Sequence, residues 1–126
     1  MDRRRVFAEQ NKVITLELKS ITENVPWIND SYIDGNSGEE IKYNSWKASD
    51  YISINQDDIL CAIPHGTSQA YNAFYDNEKN YVRVLNLGNG NVYEKVILKI
   101  PENARYIRLS NRIDKHEIEI YKCKII

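Results

Sequence analysis

The chain has 126 residues and a formal net charge of −1, so it fits one globular domain with at most a short appended element. With 42% hydrophobic and 28% charged residues it can build a core, and general disorder is excluded. Balanced charge argues against a nucleic-acid partner held by phosphate neutralisation, and no apolar run approaches the ~18–20 residues of a membrane helix, so no membrane insertion is expected.

The N-terminus is basic at Arg3, Arg4 and Arg5 but carries no apolar segment behind it, so a secretory leader is not expected. From Phe7 onward the residues Phe7, Asn11, Ile14, Leu18, Ile21 and Val25 follow a heptad spacing. This predicts a short helix over 1–25, a coiled-coil seam for oligomerisation in which Asn11 sets register. Pro26 then ends the helix. A strand at V-I-T-L-E-L competes with this reading, because Ile14, Leu16 and Leu18 alternate with polar positions. The helix is preferred.

After Pro26 the period becomes two. Strands are predicted over 40–46, around Ile52 and Ile54, over 59–63, 69–76, 80–87, 92–100, 105–110 and 117–125. Turn sequences separate them: D-G-N-S-G at 34–38, D-N-E-K-N at 76–80, G-N-G-N at 88–91, P-E-N at 101–103 and S-N-R-I-D at 110–114. About eight short strands with no helical segment between them describe an all-β fold. The expectation is a jelly-roll-like β-sandwich head over 26–126, preceded by the N-terminal helix. Nine Tyr against two Phe suit half-buried sheet faces and wet contact surfaces.

Four segments carry a resemblance: W-I-N-D-S-Y-I-D-G-N-S-G, S-W-K-A-S-D-Y-I-S-I, A-F-Y-D-N-E-K-N-Y-V and I-P-E-N-A-R-Y-I-R-L-S. In this order they resemble a jelly-roll β-sandwich module of phage tail-fibre, baseplate and minor structural proteins. Similar carbohydrate-binding-like modules stand beside bacterial hydrolases. The resemblance covers roughly residues 27–126. It implies a virion protein of the phage tail, assembled in the bacterial cytoplasm, and a non-catalytic receptor-binding role. Together with the seam, it suggests a homotrimer that binds bacterial cell-surface carbohydrate with avidity. The alternative it leaves open is a carbohydrate-binding module of a larger hydrolase.

For sugar stacking the flat rings of Trp27 and Trp46 have suitable chemistry, although packing competes at both. Tyr71 and Tyr75 share one strand face with Asn72 opposite, a platform if that face is outward and core if inward. Trp46, Tyr71, Asn72 and Tyr75 form the candidate ligand-binding set. Arg108, between Ile107 and Leu109, is expected to pair with a carboxylate such as Asp76.

No catalytic constellation is readable. His65 near Ser68 lacks a nucleophile elbow, and Asp114, His116 and Glu117 lie in a charged turn. Two Cys and two scattered His do not match a standard zinc site, so no metal and no cofactor is expected. Asp57 and Asp58, and the group Asp30, Asp34, Asn36 and Glu39, have the oxygen chemistry of a Ca²⁺ site. Their spacing is not that of an EF-hand, and turn capping is the expected role. Cys61 and Cys123 are read as buried free thiols, with a disulfide left open.

Overall fold

A computed structural model describes residues 2–9, 12–65, 71–87 and 96–125, with side chains from 17 to 124 among them. The described residues form twelve strands and no helix: β1 Asp2–Glu9, β2 Lys12–Ser20, β3 Trp27–Ile33, β4 Glu40–Ser49, β5 Ile52–Ser53, β6 Ile59–Ile63, β7 Ala73–Tyr75, β8 Tyr81–Val84, β9 Val96–Leu98, β10 Tyr106–Arg108, β11 Ser110–Arg112 and β12 Glu119–Ile125. They build three antiparallel sheets, in the orders β1-β2-β12-β6-β9, β5-β10-β7-β8 and β11-β4-β3. The all-β class expected from the alternating pattern is present.

The expected N-terminal helix is not. β1 and β2 pair antiparallel, with Phe7 opposite Ile14, and β2 continues onto β12 with Leu18 opposite Cys123. The same residues carry both a heptad spacing and the alternation of Ile14, Leu16 and Leu18. Pairing of β2 with β12 resolves the conflict in favour of the strand, for which β-branched Val13, Ile14 and Thr15 have the right propensity. The seam residues therefore have other places. Leu18 is buried, and Ile21 packs against the sandwich core together with Val25. Asn11 lies outside the described residues. Among the described residues these positions lie on strands or pack against the core rather than on a helix.

The main core lies between the five-stranded and four-stranded sheets. Leu60, Ala62, Leu98 and Ile120 come from the first, and Ile52, Phe74 and Ile107 from the second. A second cluster of Ile33, Ala48, Ala73 and Tyr75, with Tyr51 and Tyr106 against it, covers the opposite face of the four-stranded sheet.

The three-stranded sheet is joined to the four-stranded one through the β10–β11 run, which is interrupted at Leu109. At this bend Ser49 N–H donates to the Leu109 carbonyl at 2.8 Å, and Leu109 N–H donates to Ser49 Oγ at 2.8 Å. Buried Asn72 accepts from Ser110 N–H at 3.0 Å, and Ser110 Oγ accepts from Ile33 N–H at 2.7 Å. These side chains satisfy backbone donors that the interrupted ladder leaves unpaired.

Candidate functional site

The β3–β4 pair contains a large irregularity. Asn29 stands opposite Lys47 and Ser31 opposite Lys42, so Asp30 alone faces the detour Tyr43, Asn44, Ser45 and Trp46. Two residues of the detour region are left-handed: Asp30 at φ 59° and Ser45 at φ 74°. Asp tolerates this region better than most residues, and such bulges re-aim side chains. β11 braces the detour from the other side, with Arg112 opposite Trp46 and Ile113 N–H donating to the Ser45 carbonyl at 2.9 Å.

The detour gathers aromatic rings from three parts of the chain. Trp46 and Tyr71 meet edge-on with centroids 5.2 Å apart. Tyr32 lies 4.6 Å from Tyr71, 6.4 Å from Trp46 and 5.9 Å from Tyr43. Tyr43 is 61% exposed, which leaves most of its ring free for contact. Beside the rings opens a depression of about 860 Å³ lined by Asp30, Lys42, Tyr43, Asn44, Trp46 and Arg112, among others. An aromatic ledge bordered by exposed carboxylate, amide, ammonium and guanidinium groups offers stacking and hydrogen bonding at once.

Of the four expected ligand residues, the fold brings Trp46 and Tyr71 together on this ledge. It removes the other two. Asn72 is fully buried and serves Ser110, and Tyr75 is buried with its hydroxyl donating to the Gly38 carbonyl at 2.6 Å. Burial pushes the Tyr75 phenol pKa well above its ordinary value, despite the opposing charge of Arg108. Both faces of β7 are covered, so Tyr71, which precedes the strand, and Tyr75 within it do not form a joint platform. Tyr32 and Tyr43 were not singled out by sequence. The available signal was Asn44-Ser45, a polar pair interrupting an otherwise regular strand.

Comparison with protein-family models, with curated proteins and with solved structures finds no match for this chain. The site is therefore argued from its own geometry.

The remaining candidates divide into turn chemistry and one new cluster. Asp34 accepts from Asn36 N–H at 2.9 Å, and Asp58 from Asn55 N–H at 2.8 Å, as turn caps do. Trp27 packs against the core with the Lys47 ammonium 4.8 Å from its ring centroid. Arg108 does not pair with Asp76. Its guanidinium donates to Glu40 at 2.7 Å and to the Ser49 carbonyl at 2.8 Å. Asp76 instead caps the β7–β8 turn by accepting from Glu78 and Asn80 N–H, each at 2.9 Å. Cys61 and Cys123 form no disulfide, and their sulfurs lie 2.9 Å apart.

Ser68 lies outside the described residues, but His65 has a partner. Its Nε2 stands 2.5 Å from Glu119 Oε2, and the His65 and His116 rings stack with centroids 4.0 Å apart. The Tyr121 hydroxyl donates to the other Glu119 oxygen. Partial burial raises the Glu119 pKa, but hydrogen bonds from Tyr121 and His65 and the electrostatic influence of the neighbouring His65 and His116 rings outweigh it and hold the carboxyl below its usual range. These residues are 51 and 54 positions apart in the chain, and no local spacing marks them.

Proposed function

We propose that the chain is a non-catalytic recognition module that binds bacterial cell-surface carbohydrate, as the head of a phage tail-fibre or related receptor-binding protein. The single observation behind the binding reading is the ledge of Tyr32, Tyr43, Trp46 and Tyr71 raised on the β3–β4 detour. A sugar's C–H face packs on such rings, while Asp30, Asn44 and Arg112 lie within the same depression to meet its hydroxyls. Backbone strain at Asp30 and Ser45 fits this reading, since left-handed non-glycine residues concentrate at ligand sites.

One observation favours the second reading, a carbohydrate-binding module of a larger hydrolase. Residues 16–20 are built into the same sheet as β12, so the trimer loses the coil on which it was argued. Mass in solution separates the two settings: a trimer supports the fibre head, and a monomer supports the module.

The experiment for the binding face is adsorption to purified bacterial cell walls and to a glycan array, with Tyr43→Ala and Trp46→Ala. Because Tyr43 is mostly exposed, Tyr43→Ala should leave the melting temperature within a degree or two and weaken adsorption roughly 5- to 150-fold, the span of an aromatic stacking contact at about 1–3 kcal/mol. Unchanged adsorption in both variants would show that the ledge is not the binding face.

A further inference from the structure

We propose that His65, His116 and Glu119 form a binding site for a divalent transition-metal ion of the zinc class. The three side chains come from three places in the fold. His65 follows the end of β6, His116 lies in the β11–β12 loop, and Glu119 opens β12, where it pairs with Ile63. Their ligand atoms all lie within 4.8 Å of one another. Zinc–ligand bonds of about 2.0–2.1 Å place ligand atoms a little over 3 Å apart, so side-chain rotations that open the His65–His116 stack close the set around one ion.

Hydrogen bonds already orient two of the three ligands, His116 and Glu119. His116 Nδ1–H donates to the Glu117 carbonyl at 3.0 Å, which leaves the Nε2 lone pair of that ring for an ion. The loop bearing His116 is itself held. Asn111 Nδ2 donates to the Arg112, Lys115 and His116 carbonyls at 2.9, 3.3 and 3.3 Å, and its Oδ1 accepts from Ile118 N–H at 2.9 Å. Tyr121 orients the Glu119 carboxylate through its second oxygen. Hydrogen-bonded partners of this kind are what orient metal ligands in general.

The donor set selects the ion. Two imidazoles and one carboxylate suit zinc and its first-row neighbours, whereas Ca²⁺ needs six to eight oxygens and Mg²⁺ an octahedral oxygen shell. Three protein ligands leave at least one position open. A cavity of about 210 Å³ bordered by His116, Glu119 and Tyr121 gives that position room for water or an outside ligand. On binding, the ion replaces the hydrogen bond between His65 and Glu119 and ties the β11–β12 loop to the end of β6. The site shares no residue with the aromatic ledge, so the inference stands apart from the carbohydrate reading.

The test uses tag-free, chelator-treated protein titrated with Zn²⁺ alone by isothermal calorimetry, with Co²⁺ absorption as the spectroscopic readout. The expected result is one ion per chain and a melting temperature that rises with Zn²⁺. His116→Ala should weaken binding at least ~10-fold, and Glu119→Gln likewise. His116 is exposed, so its variant keeps the fold even where Glu119→Gln does not. A Cys61→Ser, Cys123→Ser double variant should bind as the parent does. The proposal is overturned if no saturable binding occurs below about 1 mM Zn²⁺. It is equally overturned if His116→Ala binds like the parent, or if the cysteine variant alone abolishes binding.

Discussion

The two faces of the β5-β10-β7-β8 sheet are buried by different chemistry. One face presents Ile52, Phe74 and Ile107 to the five-stranded sheet, within the main apolar cluster. The other presents Ala73, Tyr75, Tyr106 and Arg108 to the β3–β4 hairpin and is held by directional bonds. There Tyr75 donates to the Gly38 carbonyl, Tyr81 donates to the Gly35 carbonyl at 2.7 Å, and Arg108 reaches Glu40 and Ser49. The Arg108 guanidinium also lies 4.9 Å from the Tyr51 ring centroid. An apolar face accepts many arrangements of similar volume, whereas the polar face accepts one. The polar face is the one that seats the hairpin carrying the aromatic ledge. Specificity of placement is concentrated where the site needs it.

Removing packing from the apolar face should have the largest effect. Phe74→Ala is expected to cost about 3–5 kcal/mol in denaturant unfolding, because the cavity it leaves between two sheets cannot collapse. A cost under about 1 kcal/mol would mean that the two sheets are not a single packed core.

Breaking the polar face should cost somewhat less and act elsewhere. Arg108 is 6% exposed as a residue, but the Glu40 side chain keeps 29% exposure, so part of the ion-pair loss is screened. Arg108→Ala is expected to cost about 2–3 kcal/mol. Its distinguishing sign is loss of carbohydrate adsorption in protein that remains folded, since the hairpin loses its anchor. If adsorption persists unchanged, the two faces are equivalent in function and the contrast fails.

The smallest effect concerns the β7–β8 turn, which sets register for both faces alike. Backbone hydrogen bonds from Asn80, and then Glu78, hold the Asp76 carboxyl below its ordinary value, against a small opposing effect of burial. A depressed folded pKa gives a contribution that is present above the unfolded value and lost as pH falls through the folded one. Asp76→Asn should therefore be slightly less stable than the parent at neutral pH. The gap should close below about pH 4, as the parent's carboxyl protonates. A gap that is constant with pH would assign the turn's stability to backbone geometry alone.

The alternation after Pro26 made the all-β class legible, because period two needs no knowledge of partners. The N-terminal helix was misread because Ile14 and Leu18 satisfy both periods. What decided between them was β12, whose Ile125 pairs with Leu16 from the far end of the chain. Trp46 and Tyr71 were legible as chemistry, but Asn72 and Tyr75 were not distinguishable from them without knowing which strand face turns inward. Arg108 was legible as a partner of some carboxylate. Glu40 became that carboxylate only through a hairpin folding back across 68 positions. His65, His116 and Glu119 belong to the same class of long-range meeting.

The detour in β4 also bears on how such a chain can diversify. Residues 43–46 stand outside the β3–β4 ladder, which closes on either side at Lys42 and Lys47, although Trp46 pairs with Arg112 of β11. Its length is pinned by Ile113, but Tyr43 and Asn44 are exposed and support no neighbouring strand. Substitutions there change the exposed surface while leaving the β3–β4 register intact. A library randomised at Tyr43 and Asn44 would therefore vary the exposed chemistry of the ledge on an unchanged frame.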